Sequence, residues 1–318
     1  MGRDSGRLRE EIKSALREAG AVAVGVARAE EVEERAVETY AAWLSSGGAA
    51  GMAYMHNHLE IRRDPRLLLE GARSVVCMAF SYRTGRVRDP ELPRISAYAL
   101  LPDYHDWIKR NIRMSGVGEL LGEEGRDWRI CVDSAPIMER YWAVMARVGI
   151  LGENGAVIVP GVGSEVFLAE IVTTLDLEAD EPLGGDCGKC GRCRAACPTG
   201  ALKENSTLDC GICLSYLTIE HRGDWTEERQ KAAMGTAAGR STLFGCDRCI
   251  AACPHNRKPG TVARNLPAVS DGVIGLTAGD IIHSEAAALS ARLKGSCLKR
   301  AKREGLLRNA LNLHLGGS

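Results

Sequence analysis

The stretch that most restricts what this chain can become is "CGKCGRCRAACPTGAL", beginning at residue 187. Four cysteines, Cys187, Cys190, Cys193 and Cys197, fall within eleven residues, and Pro198 follows the last. C-x2-C-x2-C-x3-C-P is the bacterial ferredoxin spacing, in which three cysteines hold one 4Fe–4S cluster and the fourth reaches across to a second. It therefore calls for another motif that returns one ligand. "GCDRCIAACPHN" supplies it, with Cys246, Cys249 and Cys253 ahead of Pro254. That motif is one cysteine short, and "LDCGICLSYLTIE" upstream offers Cys210 and Cys213. The expected sets are Cys187, Cys190, Cys193 and Cys253 for cluster one. Cluster two takes Cys197, Cys246, Cys249 and either Cys210 or Cys213. Paired C-x2-C units also make tetrahedral zinc sites, but zinc does not account for x2-spaced triplets and x3-C-P endings arranged in crossed pairs.

Nine of the twelve cysteines lie between Cys187 and Cys253. Cys77 and Cys131 sit in apolar, strand-like runs and read as buried small hydrophobes. Cys297 stands among basic residues and reads as incidental. Lys+Arg and Asp+Glu both number 41, so no global charge draws the chain to nucleic acid or membrane. The opening residues show no signal peptide, and no run approaches the ~18–20 apolar residues of a membrane span. A cytoplasmic location is expected, where clustered thiols are metal ligands more often than disulfides.

Residues 8–20 space Leu8, Ile12, Ala15 and Leu16 on one helical face and stop at Gly20. "AVAVGVA" and "ARSVVCMAFSY" read as strands, and residues 30–44, "DYHDWIKRNIRMSG" and "SAPIMERYWAVMARVG" as helices. "GAVIVPG" and "VFLAEIVTTLDL" look like a pair of strands, and the chain turns helical after about residue 270. Helices and strands are mixed over residues 1 to about 180, and no clean βαβ series emerges. "GVGSEV" at 161–166 lacks the third glycine and the following helix of a dinucleotide loop. Two clusters only pass electrons. The roughly 180 residues ahead of them point to a second, substrate-bearing domain.

Several collinear stretches resemble the epoxyqueuosine reductase family: "GMAYMHNHLEIRRDPRLLLEGARSVVCMAFSY", "YALLPDYHDWIKR", "VDSAPIMERYWAVMARVGILGENG", "GSEVFLAEIVTTLDL", "CLSYLTIEHRG" and "FGCDRCIAACPHN", with the first ferredoxin motif between them. The resemblance spans nearly the whole chain. It implies an α+β fold, with a nitroreductase-like cobalamin-binding catalytic domain over 1–180 and a ferredoxin-like domain with two 4Fe–4S clusters over 181–265. A helical C-terminal segment over 266–318 would be a truncated helical-repeat region. The activity implied is an oxidoreductase that removes the epoxide oxygen of epoxyqueuosine in tRNA, using cobalamin re-reduced through the clusters. It also implies an external low-potential electron donor, and the chain is expected to be monomeric and free of the membrane. The family's second-cluster ligand immediately precedes S-Y-L-T-I-E, which here is Cys213, leaving Cys210 without a role.

The resemblance further places Asp133 as proton donor, and a carboxyl in a dry pocket against a corrin is expected to have a raised pKa. Read from the residues alone, Asp133 would instead cap the helix that follows. Tyr104, His105 and Arg140 are implied to line the pocket. Ser215 and Asp247 are implied to meet cobalamin from the cluster domain, and Ser96 and His56 to lie near the corrin. His56 and His58 are not expected to ligate cobalt.

Three departures stand out. "GENG" places Glu153 where the family carries a lysine, reversing a charge expected near an anionic tRNA or the cobalamin phosphate. "CPHN" puts His255 where an aromatic side chain is usual. The chain ends at Ser318, with "LLRNALNLHL" resembling the start of the helical repeats. Arg292, Lys294, Lys299, Arg300, Lys302, Arg303 and Arg308 form a candidate basic stripe for tRNA phosphates, or else a solvated helix face. Competing functions are a paralogous corrinoid reductase acting on a small epoxide or organohalide, and a non-catalytic electron-transfer or corrinoid-activating protein. Reductive dehalogenases combine the same cofactors but usually carry a twin-arginine export signal, which this sequence lacks.

Overall fold

A computed structural model describes residues 5–204, 207–257 and 265–315. The final residues of the expected helical segment, 316–318, lie outside them. Along the chain come α1 (Ser5–Glu18), β1 (Ala23–Arg28), α2 (Glu34–Ser45), α3 (Leu59–Arg63), β2 (Ser74–Ser81), β3 (Arg94–Ile95), α4 (Tyr104–Met114) and α5 (Val117–Leu121). Then follow β4 (Trp128–Cys131), α6 (Glu139–Met145), β5 (Ile150–Leu151), β6 (Val157–Ile158) and β7 (Val166–Thr173). The cysteine region contains α7 (Arg192–Ala195), α8 (Leu214–Ile219), α9 (Glu227–Met234), β8 (Thr242–Phe244) and α10 (Arg248–Ala251). Last come α11 (Asp271–Ile274), α12 (Ala278–His283), α13 (Ala286–Arg292) and α14 (Lys302–Leu315).

The main sheet has strand order β1-β2-β7-β4, every pairing antiparallel. The mixed α+β class is therefore as expected. β2 is buried along its whole length, which explains its unbroken apolar run. One face of the sheet packs Met78, Phe80 and Ile171 against Ile12 and Leu16 of α1 and Ile108 and Ile112 of α4. The other packs Cys77, Ala79, Cys131 and Val172 against α6, whose Trp142 and Ala143 face it. α6 can approach β1 closely because position 25 is glycine: a Cβ there would run into the Ala146 carbonyl.

Two expectations fail locally. β6 does not pair with β7 but with β5, in a separate two-stranded ribbon. The helix expected from Ser134 begins only at Glu139, after a run of bends.

The C-terminal segment packs into the core of the preceding chain. Leu276, Ile281, Leu298, Leu306 and Ala310 enter the same core as Ile12 and Phe80. Arg308, counted in the candidate basic stripe, is buried. Its guanidinium donates to the carbonyls of Leu217 at 2.8 Å, His221 at 3.1 Å and Gly223 at 2.7 Å, and it lies 4.8 Å over the Trp225 ring. Asn309 donates to Thr218 at 2.8 Å and Leu243 at 2.9 Å. α14 thus braces α8 and β8, the elements that follow Cys213 and precede Cys246. Three carbonyls depend on Arg308. Arg308→Met should destabilise the fold by about 3 kcal/mol or more and loosen iron at cluster two, read by denaturant unfolding and iron content.

Candidate functional site: two thiolate sets beside an acid-lined cleft

Cys187, Cys190, Cys193 and Cys253 line a single cavity together with Gly152, Glu153, Asn154, Ile158 and Pro254. The first loop can wrap this cavity because Gly188, Lys189 and Gly191 all take left-handed backbone conformations. Cys193 lies on α7 and Cys249 on α10, two short helices packed against each other, while Cys197 and Cys253 each follow one of them. Cys213 lies within electrostatic reach of Cys197, Cys246 of Cys213, and Cys249 of all three.

Backbone N–H groups of Thr199, Ala201 and Leu202 point at the Cys197 sulfur. Those of Ser215 and Tyr216 point at Cys213, and that of Arg248 at Cys246. Such donors stabilise thiolate charge and tune a cluster. The donor chemistry of both sets therefore fits 4Fe–4S clusters. Cys210 is turned elsewhere: it is buried with Leu214, Tyr216 and Leu217, and its amide donates to Gly48 at 3.1 Å.

Residues outside the cysteine motifs pin the cluster loops. The Gly191 amide donates to Glu153 at 3.4 Å, Asn154 donates to the Cys249 carbonyl at 3.3 Å, and the His255 ring meets the Cys187 carbonyl at 3.2 Å. Within "GVGSEV", the Ser164 amide donates to Asn256 at 2.7 Å. That stretch therefore docks a cluster loop. Glu153, expected near tRNA or the cobalamin phosphate, instead faces cluster one, because the turn after β5 carries it onto the α7 loop. A carboxylate there disfavours an added electron. Glu153→Gln should raise the cluster-one reduction potential, by an amount on the order of tens of millivolts, in an EPR-monitored redox titration.

The second part of the site is built on α4 and the loop after β4. Asp103 caps α4 and also accepts from His105 Nδ1 at 2.6 Å. His105 Nε2 meets Asp133 Oδ2 at 3.2 Å. Tyr104 stacks on His105 and on Phe167, both at 4.2 Å between ring centroids, and its hydroxyl also bonds Asp133. Asp133 is 60 % exposed, and Arg300 and Tyr54 lie within electrostatic range of it. Arg300 pairs with Glu220 at 2.7 Å and lies 5.3 Å from the Tyr54 ring.

Asp133 does not cap α6: the residue before that helix is Met138, with no side-chain cap. Nor is the Asp133 pKa raised. Burial pushes it up, but hydrogen bonds from His105 and Tyr104 and the charge of His105 outweigh that and hold it below its ordinary value. His105 carries the proton. Burial opposes its charge, yet Asp103 and Asp133 lift its pKa to about 9.

Ser96 and Asp247, both expected to meet the corrin, meet each other at 2.8 Å, and Asp247 also accepts the Ala97 amide at 2.6 Å. Position 245 must be glycine here, since a Cβ would collide with Ser96 Oγ. Ser215 is half-buried at the start of α8. His56 is exposed, and Arg140 is exposed at the start of α6 near Gly155; among the described residues no hydrogen bond joins either to Asp133, though the Arg140 charge reaches Glu139. In the basic stripe, Arg292 is tied to Gly272 and Asp280, and Arg300 to Glu220. Lys294, Lys299, Lys302 and Arg303 remain exposed.

Three contributors escaped the sequence reading. Cys297 is buried, with the Tyr104 amide aimed at its sulfur and burial pushing its pKa up to about 12. Glu139 accepts the Asp133 amide at 2.5 Å; burial and the Asp133 charge push its pKa up toward neutrality. Glu170 is fully buried on β7, in register with Cys77 on β2 and Cys131 on β4. Neither carboxyl oxygen has a hydrogen-bond partner among the described residues, and burial, then Glu139 and Asp133, push its pKa well up. A lone acid inside "VFLAEIV" was the available signal.

A carboxyl held protonated in the fold but not in the unfolded chain loses stability as pH rises above its unfolded value of about 4.5. Glu170→Gln should remove that slope, about 1.4 kcal/mol per pH unit, from unfolding curves measured above pH 5. An unchanged slope would refute a protonated Glu170.

Two thiolate sets and a hydrogen-bonded Asp103–His105–Asp133 group on an α+β scaffold define a two-cluster iron–sulfur oxidoreductase. Residues 186–256 match the family model described as "4Fe-4S double cluster binding domain", and residues 62–134 match "Epoxyqueuosine reductase QueG, DUF1730". The chain belongs to the epoxyqueuosine reductase family. It is 37 % identical over 305 residues to the epoxyqueuosine reductase of Gloeobacter violaceus, covering 94 % of this chain and 93 % of that one. It is 38 % identical over 292 residues to that of Cyclobacterium marinum, covering 90 % of each. Its fold is similar to the solved epoxyqueuosine reductase of Streptococcus thermophilus, with TM-score 0.84 at 23 % identity over 96 % of this chain and 80 % of that one. It is also similar to an epoxyqueuosine reductase solved with an epoxyqueuosine-modified tRNA-Tyr stem loop, with TM-score 0.82 at 24 % identity over 98 % and 81 %. Among the described residues, no helix is long and apolar enough to cross a membrane.

Proposed function

We propose that the protein reduces epoxyqueuosine to queuosine in tRNA, with Asp133 and His105 handling the protons and the two clusters supplying the electrons. The observation that carries this is the hydrogen-bonded Asp133–His105 pair in a cleft beside the segment bearing cluster-two ligands. Family membership supports the substrate, as does the tRNA complex of a relative with the same fold.

Residues 1–180 form the substrate and cobalamin part in this reading, and residues 181–265 the electron path. Arg248 Nε is a buried donor without a partner among the described residues, and it adjoins Asp247, which with Ser96 and Ser215 would hold the cobalamin. Cobalamin bound there would supply a strongly reducing cobalt centre. Cys190 is exposed, which makes cluster one the entry point for an external low-potential donor. Electrons then pass to cluster two, whose ligand Cys246 lies next to the Asp247–Ser96 contact. The protein is read as a cytoplasmic monomer.

Converting an epoxide to an alkene consumes two electrons and two protons and releases water. The oxygen leaving carbon must be protonated. At neutral pH the imidazolium of His105 holds a proton 3.2 Å from the Asp133 carboxylate. Asp133, facing the cleft, hands it on and is recharged by His105. Tyr104 fixes the His105 ring by stacking, and Asp103 fixes its orientation through Nδ1.

The test is turnover of epoxyqueuosine-containing tRNA by anaerobically reconstituted protein with a strong reductant. Queuosine formation is expected. Cobalamin binding without queuosine formation would overturn the substrate. Asp133→Asn should keep cobalamin binding and lose about 10²–10⁴ in turnover; wild-type turnover would remove Asp133 from the chemistry.

A further inference from the structure

Asp133 has a backbone φ of +54°, in the left-handed region that non-glycine residues enter at a cost, typically near functional sites. Its neighbours are tightly folded: the Ser134 amide donates to Val132 at 2.5 Å and the Ile137 amide to Ala135 at 2.8 Å. The Asp133 amide itself donates to Glu139 Oε1 at 2.5 Å. Glu139 is the first residue of α6, which is anchored by Trp142, Ala143 and the close approach of Ala146 to Gly25. A rigid helix thus reaches back through one carboxylate to hold the residue that faces the cleft. No other side chain bonds the Asp133 backbone among the described residues.

The charge on Glu139 is contested from every side. Asp133 lies above it, with His105 of α4 beyond; Arg140 follows it on α6. Glu170 on β7 lies beneath, and Cys77 on β2 and Cys131 on β4 also feel the Glu139 charge. Ionised Glu139 gives the Asp133 amide a charge-assisted bond, about twice as strong as a neutral one. Protonated Glu139 gives a weaker acceptor.

Resting on the proposed proton path, we propose that Glu139 is a positioning residue for Asp133: its carboxylate holds the Asp133 backbone in the left-handed turn that aims the side chain at His105, and its protonation loosens that hold. Burial and the Asp133 charge place this transition near neutrality. As pH rises through it, Glu139 ionises and the Asp133–His105 contact tightens. As pH falls, the contact weakens before Asp133 itself is protonated.

The test uses cluster-loaded protein without cobalamin, with His105 followed by histidine-labelled NMR against pH. Its failure is therefore separate from failure of the substrate assignment. Glu139→Ala should lower the His105 midpoint from about 9 by about one unit, as Asp133→Asn should, and the double variant should show no further drop. An unmoved midpoint in Glu139→Ala, or additive shifts in the double variant, would overturn the proposal. Should Glu139→Ala not fold, Glu139→Gln decides, since its amide oxygen can still accept the Asp133 amide but cannot ionise. In Glu139→Gln the same cobalamin-free titration should place the His105 midpoint below the wild-type value of about 9 and show no step near neutrality in the His105 signal. A profile identical to wild type would refute the role.

Discussion

The joint between residues 94–97 and residues 242–247 is the contact on which the rest of the structure depends. β3 and β8 pair in parallel, and just beyond them Asp247 accepts from Ser96 Oγ and the Ala97 amide. Asp247 is pushed up by burial and pulled back by these two donors, so a buried carboxyl is satisfied only if both segments stay together. Gly245 permits the approach. Through this joint the loop bearing Cys246 and Cys249 is set beside the segment that leads into Tyr104 and His105. One carboxyl thereby ties the cysteine-bearing loop to the segment that carries His105.

Around that joint the chain closes on itself twice. Each thiolate set takes a cysteine from the other motif, so neither can form from a local segment. α14 returns from the far end of the chain to satisfy the carbonyls of α8 and β8 through Arg308 and Asn309. Residues that look like a basic surface stripe are partly internal struts. Long arginine side chains can turn inward where unpaired carbonyls await them, and a linear charge pattern does not tell which ones do.

The proton side of the site shows the same lesson in reverse. Asp133 in a recess suggests an acid of raised pKa, and burial does push that way. The two groups that touch it decide otherwise, because hydrogen bonds to the charged form outweigh desolvation. The proton moves to His105, which sits between Asp103 and Asp133. Close by, Glu139 and Glu170 do rise: Glu170 has no hydrogen-bond partner among the described residues, and the single Asp133 amide that Glu139 accepts does not offset its burial and the Asp133 charge. Carboxyls with opposed shifts within one cluster are a common way to divide proton-handling roles.

The cysteine spacing was enough to call for two clusters with crossed ligands, since the x2 and x3 intervals are set by how short loops and a helical turn wrap a cube of iron and sulfur. Apolar runs were enough to locate β1, β2, β7, α1 and α4, and the ordered motifs were enough to point to the family. The roles of single polar residues were not legible. Glu153 turned toward a cluster, Arg308 turned inward, Asp133 left its helix for a left-handed turn, and Glu170 lay beneath it all. Spacing along a chain reports local geometry. Charge state and partner depend on which distant groups the fold brings within a few ångströms, and that is decided only when the chain is packed.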